Sequence, residues 1–300
     1  MNFLEPAFMQ RALLAALLIG VSAPAVGIYL VARRQAIMGD GLGHVAMTGV
    51  ALGFLLNTSP VWMAVLVACV GAVVMELIRS YGKTRGDIAL AMLFYGGMAG
   101  GVMIINLAPG GSTANLLSYL FGSLTTVSTA DVQTVVWLSA LVLLVALGLR
   151  RQLFAICQDE EFAKVTGLPV RALNLLLAVT AAVTVTVSMR VVGLLLVSAL
   201  MVIPVAAAQQ ATRGFATTLA LAMVFGVLAT LSGTITSYYV NVPPGATIVL
   251  ITIALFALVT ALAAPLARRR LRVAGGDGPG GAWQNDRSDT ASTATARRRA

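Results

Sequence analysis

Two ionisable residues stand in an otherwise apolar stretch, MGDGLGHVAMTGVALGFLL, from Met38 to Leu56. Asp40 and His44 are four apart, so on a helix they share one face. His44 is the only histidine in the chain. With Arg34 near a membrane surface, His44 lies about 15 Å along the helix axis, close to the middle of a bilayer core of about 30 Å. An ionisable group at that depth is expensive, faces the bundle interior or water, and points to function. A carboxylate with an imidazole is a borderline ligand set suited to zinc or manganese. Two residues do not close a metal site. Two copies about a two-fold axis would bring four such groups together, leaving open positions that suit passage better than a cage. The competing reading is an Asp40–His44 hydrogen bond that glues helices together.

A second cluster is QDEEFAKVTGLPVR, Gln158 to Arg171. Asp159 suits an N-cap, Glu160 and Lys164 form an i,i+4 pair, Gly167 suits a C-cap, and Pro169 follows. The segment therefore predicts a short polar helix in a loop, either an ordinary ordered connection or a surface that docks a partner. Two further segments carry no chemistry alone. GLLLVSALMVIPVAAAQQATR, Gly193 to Arg213, holds Pro204 inside an apolar span, with Gln209 and Gln210 near its end. TSYYVNVPPGATIVL, Thr236 to Leu250, holds a turn at Pro243, Pro244 and Gly245.

Other chemistries are excluded. Gly82-Lys83-Thr84 imitates the end of a phosphate-binding loop, but Leu77 stands where its first glycine belongs. Cys69 and Cys157 belong to no metal or disulfide pattern. One histidine and no nucleophile–base set give no case for an enzyme.

The elements that position these residues follow from composition. Of 300 residues, 59% are hydrophobic and 10% charged, and mean hydropathy is +0.92. A soluble domain carries about 25% charged residues, so the main solvent here is the bilayer, and the fold is an all-α polytopic bundle. Apolar windows place spans at roughly 12–32, 36–56, 60–79, 87–107, 132–149, 171–189, 191–210, 214–237 and 246–266. The spans flanking Arg190 run almost together, so eight spans with a re-entrant segment is the alternative to nine.

Lys and Arg fall on alternate connections. Arg33 and Arg34, then Arg79, Lys83 and Arg85, then Arg150, Arg151, Lys164 and Arg171, then Arg213, all lie on one side with Arg268 to Arg270 and Arg272. The opposite connections carry none, and only Arg11 and Arg190 break the pattern. Cytoplasmic loops are the basic ones, so the N-terminus is expected outside and the C-terminus in the cytoplasm. This asymmetry absorbs the net charge of +9 without a nucleic-acid partner. Residues 1–267 form the expected membrane domain. Residues 268–300, rich in Gly, Ala, Ser, Thr and Arg, read as a disordered cytoplasmic tail, with attachment to anionic lipid as the minor reading. Small residues four apart (Gly49 and Gly53, Gly96 and Gly100, Gly97 and Gly101) predict close helix packing, within one subunit rather than between copies.

Together these segments resemble the metal-ion (zinc and manganese) ABC permease family, from about Phe8 to Leu266. Gly39, Asp40, His44 and Gly49 match its GDxxxH-x-x-x-x-G pattern. The YLFGSL segment at Tyr119 to Leu124, the DEEFAKVTGLPV loop, the VVGLLLVSALMVIPVAAA span and SYYVNVPPGATIVL follow in order. The zinc-uptake branch is the nearest. The resemblance implies a homodimer in a bacterial plasma membrane that carries two cytoplasmic ABC ATPase subunits. It also implies an extracytoplasmic metal-binding protein that delivers the ion. Asp40 and His44 would line the path of the ion, zinc first and manganese or iron next, with no permanent cofactor and ATP used by the partner. The loop Asp159, Glu160, Glu161, Ala163 and Gly167 would hold the ATPase-coupling helix, with Glu161, Ala163 and Gly167 at pattern positions. Where the commoner family form has Ser before the His and Leu-Pro before the Gly, this chain has Gly43 and Met47-Thr48. The readings set against the permease are a gradient-driven transporter or channel for a divalent cation and a non-transporting scaffold.

Overall fold

The computed structural model describes residues 7–81, 86–108, 113–123 and 128–274. The Gly82-Lys83-Thr84 triplet, Arg85, Leu124 and the tail from 275 onward lie outside the described residues.

Long apolar runs broken by turn residues give helices throughout, and no strand occurs among the described residues. In order they are α1 (Ala7–Ala32), α2 (Met38–Leu55), α3 (Pro60–Tyr81), α4 (Gly86–Leu107), α5 (Thr113–Phe121) and α6 (Thr129–Gly148). Then follow α7 (Arg150–Gln158), α8 (Glu160–Val165), α9 (Val170–Ser188), α10 (Leu194–Ala211), α11 (Phe215–Val240) and α12 (Pro244–Ala274). Each expected span is one of these helices. Two clustered units emerge, Met1–Ala257 and Leu258–Ala300, and the first holds every residue discussed below. Helix α12 continues to Ala274, past the expected start of the tail at Arg268.

Among the described residues eight helices are long and apolar enough to cross a membrane, and α2 is not among them. It has 18 residues but includes Asp40, His44 and five glycines. Yet α2 runs beside the others. Gly49 meets Ala64 and Gly53 meets Pro60, whereas Gly71 meets Val45, so α2 and α3 are antiparallel. Gly41 meets Leu90, Gly97 meets His44 and Gly101 meets Met47, so α2 and α4 are parallel. The least apolar long helix is thus sheltered by α3, α4, α9 and α10, which bury His44 as its cost in hydrocarbon demands and leave Asp40 part-exposed.

Near Arg190 the chain makes two separate helices. Helix α9 ends at Ser188, and α10 starts after Gly193, whose φ of +88° favours glycine. Its backbone approaches so closely that a Cβ there would lie 2.5 Å from the Leu120 carbonyl oxygen. Arg190, out of place in the charge pattern, pairs with Asp131 at 2.5 Å and lies 5.0 Å from the centroid of the Tyr119 ring. Its charge is therefore matched where it stands. Asp131 also closes a capping box with Ser128, which starts α6 at Thr129 rather than near 132.

Candidate functional site

Asp40 lies in the first turn of α2 and His44 one turn on. Asp40 is part-exposed and lines an open groove of about 380 Å³ with Ile37, Leu90, Ala91, Phe94 and Tyr95. Its carboxylate takes part in no ion pair among the described residues. His44 is 4% exposed. Its ring packs edge-on to Phe94 at 4.3 Å between centroids, and its Nδ1 is buried with no hydrogen-bond partner. A buried polar atom without a partner costs about 1–3 kcal/mol, a state that Ser139 Oγ and Thr234 Oγ1 share elsewhere in the bundle. Among the described residues no three His, Cys, Asp or Glu side chains gather to hold a metal, so the pair stands alone in one chain.

Helix α4 fixes the pair from one side. A Cβ at Gly97 would lie 2.8 Å from the His44 carbonyl carbon, so only glycine permits this approach. Thr48 Oγ1 donates to the Gly97 carbonyl at 2.7 Å. The hydroxyl standing where the commoner pattern has proline thus ties α2 to α4 one turn from His44. At Gly43, where that pattern has serine, an added Cβ would lie 3.2 Å from Leu194 Cγ, so a side chain there would press on α10. Gly39 faces Met201 and Ser198 of α10. The paired glycines Gly97 with Gly101 and Gly49 with Gly53 pack inside the chain, Gly100 meets only Thr48, and Gly96 meets nothing within 4 Å.

The polar loop folds as its residues dictate. Asp159 accepts a hydrogen bond from the Phe162 N–H at 3.0 Å and caps α8. At the other end Gly167 takes φ +81°. Its N–H donates to Lys164 O, and that of Leu168 donates to Ala163 O, each at 3.1 Å, which is a Schellman cap. Ala163 is fully buried and anchors the helix. Glu160 turns inward to Arg33 at 3.2 Å and lies 3.8 Å from Lys164, which bonds Glu161 at 2.9 Å. That hydrogen bond raises the Lys164 pKa above the usual lysine range. The outward face carries Glu161 with Phe162 (66% exposed) and Val165 (85% exposed), the two apolar residues that sequence reading passed over. Burial, with Arg79 nearby, holds Arg33 below the ordinary guanidinium range. Burial pushes the neighbouring Cys157 thiol up to about 11.

The metal-type pair and the polar helix are thus separate sites. Both adjoin the end of α1, Asp40 by the chain from Arg33 and α8 by the Arg33–Glu160 pair.

Residues 5–263 match the ABC 3 transport family. The chain is 35% identical over 260 residues to a probable metal transport system membrane protein of Treponema pallidum (strain Nichols), covering 86% of this chain and 97% of that protein. It is 30% identical over 257 residues to the manganese transport system membrane protein MntC of Halalkalibacterium halodurans, covering 86% and 88%. Among solved structures, PsaBC from Streptococcus pneumoniae in complex with Fab contains a chain that matches with TM-score 0.77 at 28% identity, over 85% of this chain and 91% of that one. The chain belongs to the ABC 3 transport family.

Proposed function

We propose that this member of the ABC 3 transport family is the permease subunit of an ATP-driven importer that carries a divalent metal ion past Asp40 and His44. The observation that carries the reading is the buried, unpartnered Nδ1 of His44, one turn from the part-exposed Asp40. An imidazole nitrogen and a carboxylate oxygen on one helix face are two donors to a borderline cation. A second copy of the chain supplies two more, and water fills the remaining positions, so the ion is held briefly and released. Manganese ranks first as cargo because the MntC relative is named for manganese. Zinc, the expectation from sequence, is the competing ion.

The partners follow from the same reading. A cytoplasmic ABC ATPase docks on the exposed Phe162–Val165 face of α8, and an extracytoplasmic binding protein delivers the ion at the opposite end. The basic end of the bundle, with Arg33, Arg34, Arg79, Arg150, Arg151, Arg171 and Arg213, faces the cytoplasm of a bacterial cell. The N-terminus then lies outside.

The test is metal uptake by cells expressing the chain with its cognate ATPase and binding protein, under manganese or zinc limitation. Asp40→Ala and His44→Ala are each expected to lower uptake by at least about tenfold with normal membrane assembly. Wild-type uptake by both variants would overturn the reading.

A further inference from the structure

Three elements share one arginine at the basic end. Arg33 caps the C-terminus of α1, and its side chain is only 7% exposed. One guanidinium nitrogen donates to Asn174 Oδ1 on α9, and the other donates to Glu160 Oε2 at 3.2 Å, the first residue of α8. Asn174 Nδ2 donates to the second Glu160 oxygen at 3.5 Å, which closes the triangle. The charges also suit their helices, with a cation at the end of α1 and a carboxylate at the start of α8.

Beyond Arg33 the chain has little freedom. Arg34 takes φ +58°. Its N–H donates to Val31 O at 3.0 Å, and the Gln35 N–H donates to Leu30 O at 2.8 Å, a Schellman turn with arginine in the place that favours glycine. The Met38 N–H then donates to Gln35 O at 2.9 Å, and the Asp40 N–H to Ile37 O at 3.1 Å. An ordered turn therefore connects the Glu160 contact to the carboxylate of the metal-type pair. Helix α8 itself is 6 residues long and rests on α7 and α9, so Arg33 is its ion-pair link to α1.

We infer that Arg33 is a positioning residue for transport: a displacement of α8 passes through the Arg33–Glu160–Asn174 triangle to the α1–α2 turn, and so resets Asp40 at the start of α2. The inference rests on the reading of α8 as the ATPase-docking helix. Arg33 spends its guanidinium on Asn174 and Glu160, and its role is to make hydrolysis on one side felt at the pair on the other. A planar fork is needed, since two partners are held in fixed directions, and a lysine supplies a point charge instead.

The test uses the whole complex, permease with cognate ATPase and binding protein, in proteoliposomes, and reads manganese taken up per ATP hydrolysed. Arg33→Ala is expected to keep ATPase association and hydrolysis while uptake per ATP falls about tenfold, within the range of measured couplings between sites. Arg33→Lys is expected to fall between. Charge exchange, Arg33→Glu with Glu160→Arg, is expected to recover part of what Arg33→Glu alone loses. Where Arg33→Ala does not reach the membrane, Arg33→Lys carries the comparison. Unchanged uptake per ATP would overturn the inference, as would a loss of uptake that only follows lost hydrolysis or lost assembly, or an exchange no better than the single variant. Failure of the wild-type chain to bind the ATPase would instead remove the reading of α8.

Discussion

Around Arg33 the polar side chains satisfy one another, with guanidinium, amide and carboxylate closing a triangle. Around His44 they do not: Nδ1 is buried without a partner, and Asp40 opens onto a groove. Both regions place ionisable groups in a bundle that has few, and the difference lies in what remains unbonded. Satisfied groups hold elements together, while unsatisfied ones cost stability. Arg190 with Asp131 likewise ties two elements by an ion pair.

The contrast can be broken most severely at its open end. His44→Leu is expected to lower metal uptake by at least about tenfold, yet to leave the thermal midpoint in detergent unchanged or higher, because it removes an unsatisfied nitrogen. A large drop in midpoint would make His44 structural. The reverse is expected at a tied pair. Asp131→Ala removes the ion pair of the mostly buried Arg190 and the side-chain half of the α6 capping box, leaving the Ser128 cap on the residue 131 N–H, and should cost about 2–4 kcal/mol in the same unfolding measurement. Gly97→Ala forces α4 away from His44 and should cost about 1–3 kcal/mol with a parallel loss of uptake. Thr48→Val removes the bond to the Gly97 carbonyl, with the longer contact to the His44 carbonyl, and should cost about 1 kcal/mol.

The smallest effect sharpens the picture of the tied end. Cys157 donates to Tyr29 O at 3.7 Å beside that cluster, and its thiol is pushed up to about 11. At pH 8 only about 0.1% of it is thiolate, so alkylation by iodoacetamide should be far slower than for an ordinary cysteine and should quicken as pH rises toward 11. Arg33→Ala removes the cation that partly offsets burial at this thiol and should slow it further. Mass spectrometry of the labelled protein reads both.

Apolar run length and the alternation of basic connections made the helices legible in sequence, and the four-residue spacing of Asp40 and His44 put them one turn apart on α2. The Asp159 cap and the Gly167 turn were equally plain, because capping is local chemistry. The missing parts are those that depend on what lies across the bundle. The apolar windows marked 36–56 as a span, but only the neighbours of α2 explain why it can be polar. The apposition of Gly97 with His44, and of Arg33 with Glu160 and Asn174, joins residues far apart in the chain, which no short window reveals. Two short helices, α5 and α7, were passed over because nine residues each give little periodicity to read. The start of α6 had a local signal, Ser128 with Asp131, that the hydropathy windows overrode.

The central claim is that His44 is a donor to the transported ion. Electron spin-echo modulation of Mn(II) bound to the purified chain in nanodiscs tests it directly, because a coordinated imidazole nitrogen leaves its own frequencies in the signal. Wild type is expected to show nitrogen modulation that disappears in His44→Ala, with manganese binding weakened by at least about tenfold. Identical modulation and affinity in the two proteins would contradict the account.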